Sequence, residues 1–255
     1  MIPENEFKEL ARFYQVPSST IERDYAQHWL LSYLPQMALK GGTGLKKCYF
    51  KDYRFSDDLD FTLIRNITQE KMKDYIISTI DKVRYESGIL FLEQIKSEEV
   101  ENGYAFVVYF RIMRRTGDPL KIKIDITKKE KEIIMSPLQK KSILHTYSDI
   151  PETKVVVYSL DEIFAEKIRA LFERTRPRDL YDVWFLSKHT ALDTSLLKKK
   201  FKYKKIDLDF EDFSKRKINY AGAWKRSLQH QLNNLPNAET VFESVFAFLK
   251  ENIQM

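Results

Sequence analysis

At 255 residues, with 43% hydrophobic and 13% aromatic residues, the chain can bury a real core and is not a disordered segment. A net charge of +6 favours a polyanionic partner as readily as it serves solubility. The one cysteine, Cys48, excludes an internal disulfide framework and a cysteine-cluster metal site; with no membrane-length apolar run and no signal-like N-terminus, the cytoplasm is the expected compartment.

The predicted elements begin with two helices, 4–14 and 18–33. In the second, Ile21, Tyr25, Trp29 and Tyr33 recur at helical spacing, Ser18 or Ser19 is placed to cap it, and Pro35 follows its end. Next comes a glycine-rich stretch, Lys40-Gly41-Gly42-Thr43-Gly44. Such glycines let backbone N–H groups approach a triphosphate, with the Thr43 hydroxyl as a further donor. The spacing is not that of a P-loop. Residues 58–64 then alternate, with Leu59 and Phe61 on one side and Asp58, Asp60 and Thr62 on the other. Carboxylates at i and i+2 of a strand suit one or two hard cations, and two such ions can hold both oxygens of a phosphoryl displacement. A Gly-Gly turn or a solvated Asp-x-Asp is ordinary alone; their succession points to phosphoryl chemistry.

Residues 69–86 fit a helix with Met72, Ile76, Ile80 and Val83 as its buried stripe. Residues 89–95 and 104–113 are β-rich, and the turn Thr116-Gly117-Asp118-Pro119 folds 104–113 back on 120–127. In 121–126 the isoleucines alternate with Lys121, Lys123 and Asp125. Asp125 reads as a third metal ligand or general base, or equally as half of a cross-strand ion pair, for example with Arg111. A short strand falls at 155–158.

After Tyr158 the pattern becomes all-helical. Ser159 caps a helix over 160–174 with Glu162 at the capping-box position, and Pro177 opens another that runs to about Lys188. Further helices fall near 193–202, 220–233 and 238–252. The expected division is a domain of residues 1–158 and a helical domain of 159–255. Asp179 and Asp182 share a helix face at i, i+3. Lys167 could reach a phosphate, or these charges lie on an exposed face with pairs such as Arg178 and Asp182. The lysine run 198–205 reads as a solvated face sooner than as a hold on an RNA backbone. The four histidines lack metal-ligand spacing, and Cys48 reads as buried filler.

The strings Leu39-Lys40-Gly41-Gly42-Thr43 and Arg54-Phe55-Ser56-Asp57-Asp58-Leu59-Asp60-Phe61 resemble those of AbiEii-type nucleotidyltransferase toxins, of the polymerase-β-like superfamily. Lys123-Ile124-Asp125-Ile126 is similar to that family's strand motif, and Glu166–Ala170 and Arg178–Asp182 to its two helical motifs. The likeness spans roughly residues 20–190 in unbroken order. It implies an α+β fold: a polymerase-β-like mixed sheet with flanking helices, and a C-terminal helical lobe that closes over it. It implies magnesium, or manganese, on Asp58 and Asp60, with Asp125 completing the acidic set. Lys40, Gly41, Gly42, Thr43, Arg54 and Ser56 would surround a nucleoside triphosphate; Lys167, with Asp179 or Asp182, would be essential. The implied partners are an RNA acceptor such as tRNA and a cognate antitoxin, and no membrane; a protein hydroxyl is the alternative acceptor, and a non-catalytic binding module the rival from another class. One departure is the long gap between Thr43 and Asp58, whose residues 46–53 would reshape the nucleotide mouth.

Overall fold

The computed structural model describes residues 1–253, which divide into a compact unit Met1–Tyr158 and a second from Ser159 onward. The first unit is a mixed sheet with helices. Its elements are α1 (Glu4–Tyr14), α2 (Ser18–Tyr33), β1 (Ala38–Lys40), α3 (Gly41–Cys48), β2 (Asp58–Thr62), α4 (Gln69–Ser87), β3 (Leu90–Val100), β4 (Gly103–Arg111), β5 (Leu120–Thr127), β6 (Gln139–Ser142) and β7 (Lys154–Val157). The seven strands lie in the order β3-β4-β5-β2-β1-β7-β6. Strands β2 and β5 run parallel, as do β1 and β7, and the other neighbours are antiparallel. The apolar stripe of α4, with Met72, Ile76, Ile80 and Val83 all buried, and the inward residues Phe106, Val108, Phe110, Ile122, Ile124 and Ile126 build the core.

Several expectations change. Neither Ser18 nor Ser19 caps α2: Pro17 occupies the N-cap, so the serines already lie in the first turn. The glycine stretch, left without an assigned element by the sequence, forms the first turn of α3. The second half of α3 runs into the core. Lys47 Nζ meets Asp24 Oδ2 at 2.7 Å with Lys47 1% exposed, and Lys46 Nζ donates to Lys51 O at 2.6 Å. Strand β3 is longer than its apolar residues suggest, because its outer half is a polar sheet edge.

The second unit is helical: α5 (Leu160–Glu173), α6 (Pro177–His189), α7 (Thr194–Lys204), α8 (Phe210–Lys215), α9 (Lys217–Leu228) and α10 (Ala238–Asn252). Ser159 accepts from Glu162 N at 3.1 Å, and Pro177 takes the first position of α6. Stacked rings of Phe213, Phe242 and Phe246 and the buried Trp224 and Leu228 fill its centre. The helix expected over 220–233 stops at Leu228, and α8 is too short to show a period in sequence.

The lysine run is not wholly solvated. Lys200 is fully buried, its Nζ 2.5 Å from Glu162 and 3.2 Å from Glu166. Removing it takes the cation from two carboxylates, and breaking a buried ion pair in this way costs about 3–5 kcal/mol. Lys200→Ala is therefore expected to lower the melting temperature by more than about 10 °C, whereas Lys199→Ala, on the exposed side, is not. Equal melting curves for the two variants would show that the buried cluster carries no stability.

Candidate active site

The alternation of β2 and β5 sets the site. Leu59 and Phe61 are buried, and so are Ile122, Ile124 and Ile126, which leaves Asp58, Asp60, Lys121, Lys123 and Asp125 on the opposite, more open face. The parallel register puts Asp60 beside Asp125 and Asp58 beside Lys123. Neighbouring strands lie ~4.8 Å apart, so the three carboxylates share one patch. On the other side of β2, Lys40 is in register with Asp60, and its Nζ donates to Thr127 Oγ1 at 3.1 Å.

Gly41 makes the join between β1 and α3 at φ +67°, in the left-handed region. A Cβ there would stand 2.6 Å from Asp60 Oδ2. A Cβ on Gly42 would come within 2.9 Å of an Arg54 terminal nitrogen and 3.1 Å of Ser56 Oγ. The two glycines thus clear the space between the positive N-terminus of α3 and the carboxylates, where an anion is favoured. Arg54 and Ser56 are buried beside them. Thr43 does not hold its hydroxyl open for a ligand: Oγ1 donates to the Asp58 carbonyl oxygen and ties α3 to β2.

Asp125 is not paired with Arg111. The antiparallel register sets Ala105 opposite Asp125 and carries Arg111 to the far end of β4. Its ion partner is Lys123, two residues back on the same strand face, at 2.9 Å. Among the described residues no three His, Cys, Asp or Glu side chains are gathered as a metal cage. The donors nonetheless fit a hard cation such as magnesium: three carboxylates on adjoining positions, with glycine leaving room at Asp60. Asp125 would have to exchange Lys123 for the ion.

Sequence reasoning missed two anchors of this patch. Arg23 donates from Nη1 to Asp57 Oδ1 at 2.8 Å and from Nε to Lys121 O at 3.2 Å, joining α2 to the starts of β2 and β5. The other is the pairing of Lys123 with Asp125, which spacing alone allowed. The histidines hold a surprise too: the rings of His28 and His145 meet edge to face at 4.8 Å, although their sequence spacing shows nothing. Burial pushes the Cys48 thiol up to about 12, so it is no nucleophile.

In the second unit, α5 and α6 bring Lys167, Asp179 and Asp182 together. Lys167 Nζ lies 2.8 Å from Asp179 Oδ1 and 2.7 Å from Asp182 Oδ2, and Arg174 Nε donates to Asp179 Oδ2 at 2.9 Å. Both acids are buried, so these are not charges on an exposed face, and Asp182 is held by Lys167. Burial alone would raise the Asp179 pKa; the Lys167 and Arg174 charges and their hydrogen bonds outweigh it and hold the carboxyl well below the usual range.

The family model described as "Nucleotidyl transferase AbiEii toxin, Type IV TA system" matches residues 26–249. The chain belongs to the AbiEii nucleotidyltransferase toxin family. It is therefore a nucleotidyltransferase and a toxin of a toxin–antitoxin system. No curated protein matches this AbiEii chain in sequence. Among solved structures it is similar to JHP933 from Helicobacter pylori, at 19% identity and TM-score 0.63, with 92% of each chain covered. It is also similar to MenT4, a nucleotidyltransferase toxin from Mycobacterium tuberculosis H37Rv, at 16% identity and TM-score 0.66, over 100% of this chain and 91% of that one. At those identities the likeness bears on the fold, which is that of nucleotidyltransferase toxins. Among the described residues no helix is long and apolar enough to cross a membrane.

Gly41→Ala in this AbiEii protein is expected to cost about 1–2 kcal/mol of stability for the left-handed backbone. It should also lower nucleotide transfer at least tenfold by pushing Asp60 aside. Thermal melts and transfer assays check both, and wild-type transfer would release Gly41 from the site.

Proposed function

We propose that the protein moves a nucleoside monophosphate from a nucleoside triphosphate to an RNA acceptor, tRNA, with magnesium (or manganese) held by Asp58, Asp60 and Asp125. The observation that carries this reading is the register of β2 and β5, which lines up the three carboxylates beside the glycine-opened start of α3. When bound, the divalent ions supply charge neutralisation at the transferred phosphorus and lower the pKa of the attacking hydroxyl. The chain's own residues do the rest. The N-terminus of α3 receives the triphosphate, with Lys40, Arg54 and Ser56 around it. Asp58 and Asp60 orient the donor for in-line attack on the α-phosphorus, with pyrophosphate leaving. Asp125 gives up Lys123, whose freed ammonium then faces phosphate. In the second unit, Lys167 with Asp179 or Asp182 forms the other set needed for activity.

Charge supports RNA over a protein acceptor. The face that carries the acids also presents the exposed Lys121 and Lys123, with Tyr109 of β4 opposite Lys121. Arg114 and Arg115 are exposed beyond β4, although Lys200 is withdrawn into its own unit's core. A labelled triphosphate offered with purified tRNA, total RNA and lysate protein, each with magnesium or with a chelator, tests the proposal. Label is expected on RNA only with the metal, with transfer falling steeply as salt rises. Label on protein alone would shift the acceptor to a protein hydroxyl, and label that persists in chelator would remove the metal.

A further inference from the structure

We infer that the outer face of α7, formed by Lys198, Lys199, Lys202 and Tyr203, binds a single-stranded segment of the acceptor RNA, with the lysines on phosphates and the tyrosine ring on a base. The choice of RNA rests on the acceptor reading above; the placement on α7 rests on the helix itself.

The helix divides its side chains between two sides. Leu196, Leu197, Lys200 and Phe201 are buried and fasten α7 to its unit, with Lys200 held by Glu162 and Glu166 of α5. At about 3.6 residues per turn, Lys198, Lys202, Lys199 and Tyr203 fall together on the opposite side. All four are exposed, Tyr203 by 41%. Lys205 follows at the C-cap and is exposed as well.

This face carries charge without counter-charge. The sequence of α7, TSLLKKKFKYK, holds no acid, and Lys198, Lys199, Lys202 and Lys205 have no carboxylate partner among the described residues. Lys198 and Lys202 stand one turn apart, a like-charge spacing that works against a helix. Exposed lysines on other helices are matched at the same spacing, Lys8 with Glu4 on α1 and Lys215 with Glu211 on α8. The helix dipole accounts for cations in the last turn, Lys202 and Lys204, but not for Lys198 and Lys199 nearer the middle.

Unmatched lysines in a row attract a polyanion, whose counterions they release. Tyr203 narrows the choice. An exposed ring one turn from Lys199 and next to Lys202 can stack on a base whose phosphates lie on the lysines, which is how single strands are held without sequence preference. A base inside a duplex offers no such face. A lipid surface would need several apolar side chains beside the lysines, and α7 turns only Tyr203 outward.

The test measures binding of a short single-stranded RNA, and of the same sequence as a duplex, to the full chain across a salt series. Wild type is compared with the double variant Lys198→Gln, Lys202→Gln, with Tyr203→Ser, and with a control, Lys215→Gln, Lys225→Gln, which loses the same charge from exposed positions of α8 and α9. Every substituted side chain is exposed, so all variants are expected to melt as wild type does. The α7 double variant is expected to bind the single strand at least about tenfold more weakly, with the slope of log K on log salt reduced by about 1.4, or 0.7 for each lost phosphate contact. Tyr203→Ser should weaken the single strand at least about fivefold and leave the duplex unchanged. The control and the binding of the triphosphate should stay as in wild type. If the control weakens RNA as much as the α7 double variant, net charge and not this face attracts RNA, and the proposal falls. If Tyr203→Ser binds both RNAs as wild type does, the single-strand assignment is overturned. If wild type transfers label to RNA while every α7 variant binds RNA unchanged, this face is dropped and the acceptor reading stands; if wild type binds no RNA, both fail.

Discussion

Asp58→Asn and Asp60→Asn are each expected to reduce nucleotide transfer at least a hundredfold, a barrier increase of about 2.7 kcal/mol, with little change in melting temperature. The two side chains share the open face of β2, while the buried Leu59 and Phe61 do the packing. The Asp58 backbone carbonyl, which accepts from Thr43 and ties this strand to α3, is kept in both variants. Asparagine keeps the volume and removes the charge a divalent ion needs. Transfer persisting above about a tenth of wild type, a loss of only ~1.4 kcal/mol, would end the assignment. Asp125→Asn belongs in the same series. There the loss of the Lys123 ion pair on an open strand face should cost at most about 1 kcal/mol of stability. A drop in activity far beyond the drop in melting temperature would thus separate a ligand or base from a structural ion pair.

The second large effect is expected from Lys167. Both its partners are buried, Asp182 completely, so Lys167→Ala removes a cation from between two carboxylates in the interior of the helical unit. Destabilisation of about 3–5 kcal/mol is expected, together with loss of transfer. That variant alone cannot tell a structural ion cluster from a catalytic one, so Asp182→Asn is paired with it. Asp182→Asn keeps the shape and leaves Lys167 its contact with Asp179, itself braced by Arg174. It should melt within a few degrees of wild type and still transfer nucleotide at least tenfold more slowly. If the transfer rate of Asp182→Asn matches wild type, Asp182 is a stabilising residue only, and Lys167 loses its main support as part of the site.

These two predictions differ in how far the sequence alone supported them. The alternation around Asp58 and Asp60, and the isoleucines around Asp125, were legible because a strand's period of two leaves a plain trace in hydrophobicity. Lys167, Asp179 and Asp182 looked like ordinary helix-surface charges without the family resemblance. A helix-period pattern reports which face is apolar, but not that a second helix covers the polar one. The same blindness affected Lys200: a run of lysines reads as solvated until α5 supplies Glu162 and Glu166. Ser18 and Ser19 fail as caps for a local reason, since Pro17 takes the N-cap and leaves them inside the first turn.

By itself the sequence determined the order of the longer elements, the strand faces that carry the acids, the change to helices at residue 159 and the family. Each rests on local periodicity or on ordered motifs, which need no long-range contact to be read. Only the tertiary structure decided that β2 and β5 are parallel neighbours with Asp60 beside Asp125, that Gly41 stands against Asp60, that Asp125 pairs with Lys123 and not Arg111, and that Lys200 is drawn inside while Lys198, Lys199 and Lys202 stay on the surface of α7. Strand register and the burial of single charges depend on pairings between segments tens of residues apart. One chain's hydrophobic pattern limits such pairings without choosing among them.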